Sequence, residues 1–269
     1  MSRADTDEDA IEHAENLSSK MIFEIISHEG LEELNRPNRS LLWSGIAAGL
    51  LISLSVLGEA IFRTHLPDTP TRHLIENLGY SLGFIVVILG RMQLFTENTI
   101  TTVLPVMRDP RPQMFGRMLS LWTIVLLSNV VGAFIAAYVF AHTSAIPAEL
   151  RPAIEALSLH ATGFGASEAF QRGIPAGVLI AAIVWMMPES EGFGFFIIVT
   201  FTWLIAAGDF THVIAGSVEM AYLMWLGMLT PFDGIFDFFL PVLAGNILGG
   251  TAIFALLAFG QVRNELGKS

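Results

Sequence analysis

The chain has 269 residues, 53% hydrophobic and only 14% charged, with mean hydropathy +0.60 and net charge −11. Soluble domains carry about 25% charged residues, so this balance points to lipid. With no basic patch, nucleic acid is excluded as a partner, and with no cysteine, so are disulfides and thiolate metal sites.

The first 40 residues are polar and acidic and carry no cleavable signal, so the apolar run that follows is expected to be retained. Within them, residues 8–35 read as a cytoplasmic amphipathic helix. Ile11, Ala14, Leu17, Met21, Ile22, Ile25 and Ile26 recur at helical spacing, and Gly30 is the expected break. Such a helix either packs on its own protein or a neighbouring subunit, or acts as a regulatory plug or lipid-surface helix. The basic residues that anionic lipid would require are missing.

Apolar runs then cover 41–62 (one charge, Glu59), 74–90, 118–141, 173–187, 192–207, 213–229 and 238–260. A spanning helix needs roughly 20 residues, so the short pieces near 90–100 and 207–212 are expected to be parts of interrupted spans. The count is six crossings, with spans two and five broken. The expected organisation is an N-terminal helix over 1–39, a membrane domain over 40–262 and a cytoplasmic tail over 263–269. The membrane domain divides into repeat one (40–141), a linker (142–167) and repeat two (168–262). Gly163-Phe164-Gly165 in the linker follows no strand, so a dinucleotide-binding reading fails on context.

A short pattern occurs twice. Leu94-Phe95-Thr96 is followed, after 32 intervening residues, by Asn129-Val130-Val131-Gly132. Asp209-Phe210-Thr211 is followed, after 34 intervening residues, by Asn246-Ile247-Leu248-Gly249. Duplicated broken helices in a membrane protein mark a substrate path at a repeat interface. Three spans per repeat is an odd number, so the second copy enters from the opposite side. The fold class is therefore an all-α membrane protein of six transmembrane helices, arranged as two inverted three-helix repeats with helices 2 and 5 broken.

Non-helical backbone survives within a bilayer only where protein or a cavity surrounds it. Residues 91–99 and 208–212 are too polar to face lipid and are the expected breaks. Asn129 and Asn246 are placed to hydrogen-bond the loop backbone. Gly132 and Gly249 allow helices to approach closely. His212, beside the second break, is the central candidate, because a neutral imidazole can donate a hydrogen bond to an anion or pass it a proton. Arg91 and Asp209 either form an ion pair bracing the two breaks, or Arg91 attracts anions from the cytoplasmic side; Glu97 is a rival partner for Arg91. Arg172 is either a vestibule cation or a side chain reaching the interface.

Lys and Arg near the spans set the orientation. The side of the termini receives Arg3, Lys20, Arg36, Arg39, Arg108, Arg111, Arg117, Arg263 and Lys268, against Arg63, Arg72, Arg151 and Arg172 opposite. Both termini are expected in the cytoplasm, with the chain multi-pass in the inner membrane. No His-Glu-x-x-His, Gly-x-Ser-x-Gly or cysteine cluster supports enzyme chemistry, and no metal or cofactor is expected.

Gly90 with Leu94-Phe95-Thr96, Gly208 with His212, and Gly245-Asn246 with Gly249-Gly250 together resemble the formate/nitrite transporter family over residues 40–262. The resemblance implies an aquaporin-like protomer, a homopentamer and one conduction path per protomer. It also implies a cargo of small monovalent anions such as formate, nitrite or hydrosulfide, often moved with a proton. Leu94, Phe95 and Thr96 match the family's gating loop, and His212, flanked by Thr211, its central histidine. Tyr80 and Phe84 match outer and inner constrictions, and Ile180 and Ile205 the remaining outer positions. This chain departs from the pattern at five positions. The vestibule lysine is replaced by Ala161, preceded by His160, and the usual glutamate before the histidine is Thr211. The asparagine four residues after it is Gly216, and Arg91 and Asp209 stand where small residues are common. The expected function is a channel for small anions or their neutral acids. The alternatives are a channel for a small neutral solute or a non-conducting membrane scaffold.

Overall fold

The structure is a computed structural model that describes residues 17–266. Residues 8–16 of the expected N-terminal helix and the last three of the tail lie outside the described residues. Helix α1 (Ser19–Leu34) begins at Ser18, whose hydroxyl accepts the Met21 amide. The expected break at Gly30 does not occur. Gly30 sits inside α1, where a side chain would collide with the Thr101 carbonyl, so glycine serves a close approach there. Phe23, Ile26 and Leu34 form the buried face, and Phe23 meets Phe259 at 5.9 Å. This helix packs on its own chain.

Five helices are long and apolar enough to cross a membrane: α2 (Asn38–His65), α3 (Arg72–Leu89), α6 (Pro112–His142), α8 (Ala166–Glu189) and α11 (Pro231–Val262). Span two continues from α3, after a break, into α4 (Phe95–Thr101) and α5 (Val103–Arg108). Span five consists of α9 (Gly194–Ala207) and α10 (Val213–Trp225) around a second break. A helix in the linker, α7 (Arg151–Thr162), packs on α10 and α2. Every described element is helical.

The repeats are built alike. In the first, α2 packs along α6; in the second, α8 packs along α11. Both contacts depend on backbone approaching backbone. A side chain at Gly132 would strike the Ile46 carbonyl, and one at Gly249 the Ile174 carbonyl. The half-helices exchange partners, with α10 against α6 and α4 against α8 and α11. Each break is thereby sealed by the other repeat.

The first break is shorter than the polarity of 91–99 predicts, because helix resumes at Phe95. The polar residues beyond it satisfy one another within helix. Thr99 Oγ1 donates to the Thr96 carbonyl at 2.7 Å, and Thr102 Oγ1 to the Asn98 carbonyl at 2.7 Å. Trp122 points inward, its indole donating to Thr102 Oγ1 at 3.0 Å.

Candidate functional site

Both breaks are held by one asparagine each, in the same way. Asn129 Oδ1 accepts the Phe95 amide at 2.9 Å, and its Nδ2 donates to the Gly45 and Gln93 carbonyls, both at 2.8 Å. Asn246 Oδ1 accepts the Val213 amide at 2.9 Å, and its Nδ2 donates to the Gly173 and Thr211 carbonyls at 2.8 and 2.9 Å. The freed backbone groups of each loop thus find partners away from water.

These bonds correct the alignment of the repeats. Phe95 corresponds to Val213, Gln93 to Thr211 and Arg91 to Asp209, so the two Phe-Thr pairs are not equivalent. Leu94 corresponds to His212, and their backbones agree (φ −102°, ψ 125° and φ −112°, ψ 125°). The leucine assigned to the gate and the histidine assigned to the pore are therefore counterparts across the pseudo-twofold.

His212 caps α10. The Ala215 amide donates to its Nδ1 at 3.2 Å, which makes Nδ1 the acceptor and assigns the ring proton to Nε2. Nε2–H donates to Thr96 Oγ1 at 2.7 Å, joining the two breaks at the centre. Phe84 stands edge-on to the imidazole at 5.0 Å and stacks on Tyr80 at 5.1 Å.

Two cavities approach this centre. The distal one, on the face away from α1, encloses about 340 Å³ and reaches His212, Thr211 and Tyr80. The proximal one, roofed by α1, encloses about 310 Å³ and reaches Leu94, Gln93 and Glu97. Phe95 points elsewhere, its ring 5.6 Å from Trp122. Ile180 and Ile205 are fully buried and absent from the lining of both cavities, where Ala206 lines the distal one.

The proposed Arg91–Asp209 pair is not formed. As symmetry counterparts the two residues face opposite mouths, both in the left-handed backbone region (φ 50° and 53°). Arg91 reaches Glu29 at 3.3 Å rather than Glu97, whose Oε1 is buried without a partner. Asp209 Oδ1 accepts His160 Nε2 at 2.8 Å. Arg172 stands against Asp209 and Phe164, two residues of the distal cavity's lining. It donates to Glu168 at 2.8 Å and to the Asp209 carbonyl at 3.1 Å, and its guanidinium lies 4.2 Å above the Phe164 ring.

Sequence reasoning missed the distal carboxylates. Glu59 and Glu219 are single acids inside apolar runs, and both line the distal cavity. Their isolation at bilayer depth was itself the signal. Glu76, also in that wall, is held by Arg63 at 2.9 Å.

This geometry defines a class: membrane proteins of two inverted three-span repeats, each with a discontinuous helix clamped by an asparagine. More particularly, the chain belongs to the formate/nitrite transporter family, whose model matches residues 20–260. It is 46% identical over 245 residues to inner membrane protein YfdC of Escherichia coli, covering 91% of this chain and 79% of that one. It is 28% identical over 246 residues to formate channel FocA of Haemophilus influenzae, covering 80% and 84%. A pentameric formate channel with formate bound is similar in fold, with TM-score 0.72 at 20% identity over 84% of this chain and 98% of that one. An FNT family ion channel superposes with TM-score 0.74 at 21% identity over 89% and 98%.

Proposed function

We propose that the protein is a membrane channel for small monovalent anions or their neutral acids, with one pore in each protomer of a homopentamer and both termini in the cytoplasm. The observation that carries this reading is the Thr96–His212 hydrogen bond at 2.7 Å, where two asparagine-clamped breaks meet between the cavities. An anion entering from either mouth loses water against Tyr80 and Phe84 or against Leu94. At the centre, the Nε2–H of His212 is the single imidazole donor; transferring it, or lending it as a hydrogen bond, offsets the charge of the dehydrated anion. Leu94 gates the proximal side, while Thr96 and Thr211 supply hydroxyls beside the path.

The assay is formate or nitrite flux into proteoliposomes. Flux should collapse in His212→Phe and rise in Leu94→Ala; ordinary flux in both refutes the mechanism. Native mass spectrometry tests the pentamer, and protease access to a tagged N-terminus tests the orientation.

One observation favours a second cargo. Ala161, which lines the distal cavity, stands where the family resemblance leads one to expect a lysine, which leaves a small neutral solute as the competing substrate. Anion currents compared with stopped-flow uptake of uncharged solutes separate the two readings.

A further inference from the structure

The wall of the distal cavity holds four carboxylates: Glu59, Glu76, Asp209 and Glu219. Two of them are matched within the chain. Glu76 is met by Arg63 at 2.9 Å and Arg72 at 3.4 Å. Asp209 is met by His160 at 2.8 Å, with Arg172 at 4.0 Å.

Glu59 and Glu219 differ. They are 5% and 8% exposed and line the same cavity. Among the described residues, neither has a hydrogen-bond or ion-pair partner. Arg63, one helical turn from Glu59, has its guanidinium on Glu76 instead. The fold holds both acids in place. Ser55 Oγ donates to the Tyr80 carbonyl, setting the face of α2 that carries Glu59 against α3. Glu219 shares a face of α10 with His212 and Gly216, all three lining the cavity. A carboxyl group buried at this depth is met by a counter-charge or holds a proton, and the described residues supply no counter-charge to these two.

We propose that Glu59 and Glu219 form a binding site for a small ammonium-type monocation, either ammonium itself or a primary alkylammonium. The carboxylates accept its N–H donors in charge-assisted bonds. The aromatic side chains of Tyr80, Phe210 and Phe238 line the same cavity, and aromatic rings attract organic cations. Divalent metal ions are poorly matched, because magnesium and calcium take six or more oxygen ligands. A cavity of about 340 Å³ admits a ligand of a few heavy atoms with some water. The inference goes beyond the proposed cargo. The site lies in the mouth, needs no passage past His212, and when occupied cancels part of the negative charge that an entering anion meets.

The probe is methylammonium chloride, titrated into the full-length protein in nanodiscs at fixed ionic strength, with its methyl NMR line width as readout. Saturable broadening is expected, reversed by ammonium chloride but not by equimolar sodium chloride or magnesium chloride. E59Q and E219Q should each weaken binding about tenfold, the loss of one charge-assisted bond, and the double variant should abolish it. The inference is overturned by non-saturable broadening in the wild type, by equal displacement with sodium, or by wild-type affinity in the double variant. The first two tests need no variant, so they decide the matter even where E59Q or E219Q folds poorly. Formate flux in the same preparation judges the proposed cargo separately, since binding in the mouth is read without transport.

Discussion

Replacing Asn246 with alanine tests the architecture at its most concentrated point. The side chain is fully buried and makes three hydrogen bonds to backbone, at 2.9 Å to the Val213 amide and 2.8 and 2.9 Å to the Gly173 and Thr211 carbonyls. Each buried polar group left without a partner costs about 1–3 kcal/mol. The carbonyls keep second lone pairs and the loop relaxes, so the total should fall near the low end, about 3–5 kcal/mol. That is a large share of a native stability of about 5–15 kcal/mol. In a thermal melt of the purified protein, the midpoint should drop by about 10 °C. Hydrogen exchange at the Val213 amide should accelerate before global unfolding. Asn129→Ala removes the matching three bonds from the other break and should destabilise to within about 1 kcal/mol of Asn246→Ala. A wild-type melting midpoint for Asn246→Ala, with unchanged exchange at Val213, refutes the clamp.

Further outcomes follow from the same geometry. Thr96→Val removes the acceptor of the His212 Nε2–H bond and should reduce formate flux in proteoliposomes while leaving assembly intact by size-exclusion chromatography. Gly132→Ala and Gly249→Ala each push a methyl group into a helix carbonyl and should lower the yield of folded protein sharply, which in-gel fluorescence of a fused reporter will show. Arg91→Gly relieves a left-handed backbone at φ 50° and loses only an exposed ion pair with Glu29. It should therefore raise stability by about 1 kcal/mol, measured by thermal melt.

The scaffold was legible because its determinants are chemical types in unusual places. Asn129 and Asn246 stand out inside apolar helices, and polar stretches at 91–99 and 208–212 announce breaks that lipid forbids, the first longer than the break that forms. Register was not legible. Phe95-Thr96 and Phe210-Thr211 look like copies, yet the asparagine bonds pair Phe95 with Val213. Matching letters are a weak guide where a loop needs only backbone donors and acceptors at fixed points. Arg91 and Asp209 misled for a related reason. Opposite charges at equivalent positions look like partners until inversion sends them to opposite mouths. Glu219 is a lone acid among apolar neighbours, but its meaning depends on Glu59 and Tyr80 approaching from distant parts of the chain.

The pairing of Leu94 with His212 gives the passage a direction. Two halves that agree in backbone and in clamp differ at this step, one offering a hydrocarbon side chain and the other an imidazole. Under the proposed function, a traveller from the proximal face would pass oil before meeting an acid–base group, and one from the distal face would meet them in reverse. The inversion thus leaves the two faces unlike in what they present first, while any net flow would still follow the gradient.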